Sequence, residues 1–292
     1  MILSFHPCIE GDQNITCAGR SPNAEDLKAI QAADAVILSQ GCSRMLYEIA
    51  RLHCRHVFPD YDGRFRFSGK IGQIALFQKT KTPHPKTKTF RGVQAFTDRY
   101  GGQLSGGEFD YPFVFKFSWG GEGDSVHLVR SVDELDRMIT KAIAYERGGL
   151  SGFLLQEYIP ADGKTLRVVV VGKTIVSYWR VQDKKDRFYC SLSRGAFVDS
   201  VSDADRRTSA EKAVEKLCLE TGINLAGFDL IFPILFEAEK GRQQPLFLEI
   251  NYFFGRKGLG GSEKFYELLR SEVAKWLSEI GMSLNNITDS DR

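Results

Sequence analysis

The chain has 292 residues, 42% of them hydrophobic, and its 39 Lys and Arg against 37 Asp and Glu leave a formal net charge of +2. This is the composition of an ordinary globular protein with room for two or three subdomains, and it supplies no global attraction to nucleic acid or to a membrane surface. No apolar run approaches the roughly twenty residues of a membrane span, the opening MILSFHPCIEGDQ lacks the charged-then-apolar pattern of a signal peptide, and the cysteines at 8, 17, 42, 54, 190 and 218 form no Cys-x-x-Cys pair, so a reduced, cytoplasmic protein is expected.

Residues 1–66 read as an α/β unit. A strand signal, ILSF, is followed by a helical pattern in AEDLKAIQAAD, a strand in AVILS, a helix in SRMLYEIARLH and a short strand, HVF. Strands alternating with helices predict a parallel sheet. His6 and Cys8 follow the first strand, where open α/β sheets place ligands, so they are candidates for contact with a second substrate.

Residues 67–153 contain a helix near GKIGQIALFQKT, a basic loop, a strand FVFKF, a glycine loop and a helix from Val132 to Tyr145. The basic loop carries Lys79, Lys81, His84, Lys86 and Lys88 with no interleaved aromatic residues, which favours a solvated loop over a nucleic-acid contact. In YPFVFKFSWGGEGDSV, Lys116 lies within an apolar strand ahead of Gly120, Gly121 and Gly123. Glycines let backbone N–H groups approach an anion, and a lysine beside them adds charge for phosphate. A hairpin turn with Lys116 snorkelling from an edge strand accounts for the same stretch. No GK[ST] closes the loop, so it is not a Walker A sequence.

From residue 154 to 292 strands dominate: FLLQEYI, TLRVVVVG, TIVSYWRVQ, FDLIFPIL and PLFLEINYF, with helices around Ala210 to Glu220 and Glu263 to Ile280. This predicts an α+β arrangement. The first strand ends in Gln156, Glu157, Tyr158 and Ile159, and a turn with Asp162 leads to a strand carrying Arg167. A strand end that changes direction can read the edge of a planar base with its backbone groups; on this stretch alone, a hairpin with a salt-bridged Glu157 is the simpler account. Glu249 and Asn251 sit two apart in FLEIN and so share a strand face. With Asp229 of LAGFDLIF they make three oxygen ligands on neighbouring strands, a set suited to Mg²⁺ with phosphate and water in its other positions. Single acids in strands are more often edge salt bridges; the closely spaced pair among apolar residues shifts the reading toward metal.

The order of these features, lysine and glycine loop, then QEYI, then a strand arginine, then Asp, then Glu-x-Asn, resembles the ATP-grasp superfamily, most closely its RimK-type carboxylate–amine ligases, over roughly residues 67–280. The resemblance implies an N-terminal pre-ATP-grasp domain (1–66) and two ATP-grasp subdomains (67–153 and 154–292) with ATP in the cleft between them. It implies that Lys70 and Lys116 bind ATP phosphates with the loop of Gly120, Gly121 and Gly123, and that Gln156 to Ile159 flank adenine, Asp162 being a candidate ribose contact. Asp229, Glu249 and Asn251 would hold one or two Mg²⁺ ions, and Arg167 and Arg194 would face the triphosphate or the acid.

The chain departs from the RimK pattern in four places. Thr165 stands where an aspartate precedes the strand arginine, and Tyr189, Cys190 and Ser191 replace Arg-Ser-Asn. The stretch EAEKGRQQ lengthens the link between Asp229 and Glu249. Asn251 to Gly255 replaces Asn-x-x-Pro-Gly and is followed by Arg256 and Lys257. Arg256 and Lys257 are candidates for the substrate carboxylate, since a guanidinium fork matches that group; a solvated loop is an equal reading.

The implied reaction joins a carboxylate to the amine of an amino acid, peptide or protein terminus through an acylphosphate, releasing ADP and phosphate. A phosphotransferase acting on a hydroxyl and a silent ATP-binding module are the alternatives. The resemblance also allows a homo-oligomer, ligases of this kind being often dimers or tetramers.

Overall fold

The structure, a computed structural model, describes residues 1–17, 19–101, 108–120, 125–182, 195–234 and 244–284. The N-terminal unit runs β1 (Ile2–Ser4), β2 (Gln13–Asn14), α1 (Ala24–Ala32), β3 (Ala35–Ile37), α2 (Arg44–His53) and β4 (His56–Phe58). Its strands form one parallel sheet in the order β2-β1-β3-β4. Both helices start on side-chain caps. Asn23 accepts from the N–H groups of Glu25 and Asp26, and Ser43 accepts from Leu46 N–H at 3.2 Å. Such caps satisfy donors that a helix start leaves free.

α3 (Asp62–Arg66) and α4 (Gly69–Lys79) lead into a middle unit of β5 (Thr87–Phe90), α5 (Val93–Tyr100), β6 (Phe113–Phe117), β7 (Val126–Val129), α6 (Val132–Arg147) and β8 (Phe153–Glu157). Its antiparallel sheet has the order β5-β8-β6-β7. Two features differ from the sequence reading. Part of the basic loop, TKTF, is the edge strand β5, because it pairs with β8 and buries Thr87 and Phe90. The strand of FLLQE, grouped by sequence with the third region, completes this middle sheet between β5 and β6.

The third unit contains β9 (Lys164–Val171), β10 (Thr174–Val181), β11 (Phe197–Asp199), α7 (Ala204–Thr221), β12 (Leu225–Ile231), β13 (Leu246–Asn251), a short 3-10 turn (Lys257–Leu259) and α8 (Ser262–Glu279). Its antiparallel sheet has the order β11-β10-β9-β12-β13. Among the described residues no helix is long and apolar enough to cross a membrane.

One hydrophobic core runs through the first and third units, so the N-terminal sheet and the third sheet bury a common interior. Phe58 meets Trp276 with ring centroids 5.5 Å apart, and Asp60 N–H donates to Asn224 Oδ1 at 2.8 Å. The middle unit has its own core, dominated by phenylalanine. Phe153 stacks on Phe115 at 4.7 Å and on Phe90 at 5.2 Å. α4 ties the middle unit to the third: Gln73 donates to Ile250 O at 2.7 Å and accepts from Ile250 N–H at 2.9 Å, and Lys70 N–H donates to Ser118 O.

Phe153 is fully buried at the centre of the middle core. Phe153→Ala is therefore expected to cost about 3–5 kcal/mol, and denaturant unfolding followed by tryptophan fluorescence, with Trp119 reporting from this unit, measures that loss.

Candidate active site

Strand alternation places the site residues on one face of the third sheet. Across the ladder, Arg167 on β9 lies opposite both Tyr178 on β10 and Asp229 on β12, and Asp229 lies opposite Glu249 on β13. Directly opposed residues in an antiparallel pair point to the same face, as do residues two apart on one strand. Thr165, Arg167, Arg180, Asp229, Glu249 and Asn251 therefore share that face.

Asp229 is the hub. Its Oδ1 accepts from Arg167 Nε at 2.5 Å and pairs with Arg180 Nη2 at 2.7 Å; its Oδ2 accepts from Arg167 Nη2 at 3.0 Å and Asn251 Nδ2 at 3.1 Å. Burial works to raise the Asp229 pKa, but the two guanidinium groups outweigh it and hold the carboxyl below its ordinary value. Burial likewise works to lower the Arg167 pKa, and the Asp229 charge more than offsets it. Gly227 gives the cluster room: a Cβ there would come within 3.0 Å of Arg167 Nη1 and 3.3 Å of Phe254 Cβ. Sequence reasoning missed Arg180. It lies opposite Thr165, which stands where the RimK pattern has an aspartate, donates to the Thr165 hydroxyl at 3.1 Å and also pairs with Asp229.

The middle unit adds two lysines. Lys70, buried at the start of α4, donates to Gly120 O at 3.0 Å and Ser125 Oγ at 3.2 Å, and its Nζ lies 3.8 Å from Glu249 Oε1. It thus holds both flanks of the glycine loop, Gly120 having a φ of +82°. Ser125 was not singled out by sequence. Lys116 on β6 is also buried; burial pushes its pKa down to about 8 against the upward pull of Glu249 and Asp229.

Four basic side chains, those of Lys70, Lys116, Arg167 and Arg180, thus surround two carboxylates, Asp229 and Glu249. Burying an unbalanced charge is costly, so among the described residues this junction is preorganised for anions such as a polyphosphate. The oxygen donors suit Mg²⁺ as well. Among the described residues no three His, Cys, Asp or Glu side chains are grouped to hold a metal. A divalent ion would thus use Glu249, 28% exposed against 13% for Asp229, with the Asn251 Oδ1 that its bond to Asp229 leaves available, plus phosphate and water. That sparse oxygen set is what Mg²⁺ accepts. Asp229 could join it only by yielding contacts to the arginines.

Gln156 is buried and donates to Thr87 Oγ1 at 2.9 Å, while Glu157 is exposed at the end of β8, its N–H donating to Lys86 O. Tyr158 and Ile159 follow, half-buried, and Asp162 adopts a φ of +49° in the turn before β9. Gly121, Gly123, Ser191 and Arg194 lie outside the described residues. Lys86 donates to Glu108 O and Lys88 pairs with Glu108 at 2.9 Å, so these two loop lysines are engaged within the protein. Arg256 stacks over Tyr266 at 4.4 Å, Lys257 is exposed, and His6 packs edge-on against Tyr266 at 5.9 Å.

Residues 68–265 match the family model described as the RimK-like ATP-grasp domain, and the chain belongs to that family. A relative from Halorhodospira halophila, named a probable alpha-L-glutamate ligase, is 28% identical over 237 residues, covering 79% of this chain and 72% of the relative. The crystal structure of a RimK domain protein from Sphaerobacter thermophilus superposes with a TM-score of 0.62 at 15% identity, covering 93% of this chain and 98% of that one. N5-carboxyaminoimidazole synthetase from Staphylococcus aureus, solved with ADP, gives 0.61 at 13% identity over 98% of this chain and 72% of that one. These likenesses establish the ATP-grasp fold.

Asp229→Asn would remove the carboxylate that the buried Arg167 and the nearly buried Arg180 share. It is expected to lower stability by about 3 kcal/mol in the absence of any ligand, read from denaturant unfolding; an unchanged midpoint would mean that the carboxylate does not hold the arginines. His6 supplies a pH test. Burial, with Arg256 adding, pushes its pKa down from 6.5 to about 4. The folded form then binds fewer protons than the unfolded chain between those values, so this contribution to stability falls as pH drops from 6.5 to 4. His6→Asn is expected to flatten that part of the stability profile.

Proposed function

We propose that this protein is an ATP- and Mg²⁺-dependent ligase that joins a carboxylate to the amine of an amino acid or peptide, releasing ADP and phosphate. The observation that carries the reading is the junction of four basic side chains, three of them buried and Arg180 nearly so, around Asp229 and Glu249, in a chain of the RimK-like ATP-grasp family. Its excess positive charge is complementary to a triphosphate and to the charge that develops when the γ-phosphoryl group moves.

In this reading Lys70, Lys116 and Gly120 bind the phosphates, together with Gly121 and Gly123. Gln156 to Ile159 contact adenine, Asp162 the ribose, and Arg167 and Arg194 the reacting groups. Glu249 and Asn251, joined by Asp229 where it yields a contact to the arginines, would hold one or two Mg²⁺ ions, which would neutralise phosphate charge. The substrate carboxylate oxygen attacks the γ-phosphorus and ADP leaves; the amine nitrogen then attacks the acyl carbon of the acylphosphate, phosphate departs with the bonding pair, and the nitrogen loses its proton to give the amide. Positioning supplies much of the rate, because two substrates and ATP must be held in line. Arg180 keeps its place here as a positioning residue, fixing Asp229 from the side opposite Asn251. The free thiols of Cys8, Cys17, Cys42, Cys54 and Cys218 suit a reducing, cytoplasmic setting.

The test is release of ADP and phosphate with Mg·ATP, pooled amino acids and small dicarboxylates, with mass spectrometry of the products. Wild type is expected to release both with a new amide mass, and Glu249→Gln to lower the rate by about 100-fold or more. ADP without free phosphate would assign a phosphotransferase, and heat protection by ATP without ADP formation would assign a binding module.

A further inference from the structure

β13 ends the third sheet, so among the described residues one of its edges has no neighbouring strand. A strand edge leaves backbone donors and acceptors unpaired, and inside a protein these need partners from elsewhere. At Ile250 the partner is a single side chain. Gln73 Nε2 donates to Ile250 O at 2.7 Å, and Gln73 Oε1 accepts the Ile250 N–H at 2.9 Å. A carboxamide carries a donor and an acceptor side by side, so Gln73 stands in for a residue of the missing strand.

The ladder between β12 and β13 pairs Leu230 with Phe247 and Asp229 with Glu249, passing over Leu248. Such a bulge interrupts the ladder, bends the strand and re-aims the side chains beyond it. Here it lies one residue before Glu249. Ile250 then points into the core, 2% exposed, and its neighbours Glu249 and Asn251 point to the opposite face, beside Asp229. Gln73 thus holds the backbone at the residue between the two oxygen-bearing side chains, each Cα being about 3.8 Å from that of Ile250.

The same helix reaches β13 a second time. Lys70 lies three residues before Gln73, hence on the same side of α4, and its Nζ is 3.8 Å from Glu249 Oε1. α4 therefore fixes the main chain of β13 with Gln73 and faces its acid with Lys70. From the other side, Asn251 donates to Asp229 at 3.1 Å. Loss of the Gln73 carboxamide would leave Lys70, Lys116 and Gly120 in place and release only the strand that carries Glu249 and Asn251.

We propose that Gln73 is a positioning residue for the divalent ion: by pairing with both backbone groups of Ile250 it sets where Glu249 and Asn251 present their oxygens. The proposal rests on the reading that those two side chains hold Mg²⁺ with the ATP phosphates, and it is tested without turnover. ATP binding is measured by titration calorimetry with no acid or amine present, once in EDTA and once in excess Mg²⁺. The ratio of the two dissociation constants is the gain that the ion supplies. Wild type and Glu249→Gln are compared with Gln73→Met, which keeps the length of the side chain and removes both hydrogen bonds. Gln73→Asn keeps the carboxamide but is one methylene too short, so if either variant fails to fold the other serves. Phe96→Leu, in the core of the middle unit, reports the effect of a general loss of stability.

Wild type is expected to bind ATP in EDTA and to bind it more tightly with Mg²⁺, and Glu249→Gln to lose that gain. Gln73→Met and Gln73→Asn are expected to reduce the gain about tenfold, as removal of a group that orients a metal ligand does. Their affinity in EDTA is expected to match wild type, because the lysines are unchanged. Phe96→Leu is expected to melt earlier and keep the gain. The proposal is overturned if the Gln73 variants keep the gain that Glu249→Gln loses, if they weaken binding equally in EDTA, or if Phe96→Leu loses as much of the gain. If ATP does not bind wild type, or Glu249→Gln keeps the gain, the reading of the metal ligands falls and the proposal with it.

Discussion

Asp229 accepts from two guanidinium groups and one amide at the place where the middle and third units meet, and the geometry of the site follows from that hub. A carboxylate this buried is held ionised by the charges around it, and in turn it holds Arg167 and Arg180 in fixed orientations rather than free to follow solvent. The arrangement leaves Glu249 as the more accessible acid, with Lys70 beside it. Basic groups fixed in this way need no reorganisation when anionic charge arrives, which is the condition for strong electrostatic stabilisation.

The three units are joined unequally. The N-terminal and third units share one core, and at its margin His6 of the first unit and Arg256 of the third both meet the Tyr266 ring. The middle unit packs its phenylalanines around a core of its own and meets the third unit through α4 and a few loop bonds, among them Phe247 N–H to Pro83 O at 2.8 Å. Lys70 acts at this junction twice: it fastens the flanks of the glycine loop and it points its charge toward Glu249. A residue that grips a loop and faces an acid across two subdomains couples the placement of the loop to the charge on β13.

Much of the site was legible because strands have a period of two. Glu249 and Asn251 declared a shared face by spacing, and Asp229 declared itself as an acid in an apolar strand. Arg180 was also within reach of the sequence: a two-residue turn at Gly172 and Lys173 pairs Val171 with Thr174 and, counting back, Thr165 with Arg180. The strand of FLLQE could not be allotted to its sheet, since apolar residues alone do not say which edge they join. Nor could Lys86 and Lys88 be distinguished from solvated charges until Glu108 was placed beside them.

The sequence by itself determined the class of fold, the alternation that aims each acid and base, and the order of motifs that identifies the family, because those are properties of local spacing and chain order. The tertiary structure alone decided that Asp229 is engaged by two arginines, that Lys70 bridges loop and acid, and that Arg256 and His6 both pack against Tyr266. Those pairings join residues far apart in the chain, and their strength depends on distance and burial, which no local pattern encodes.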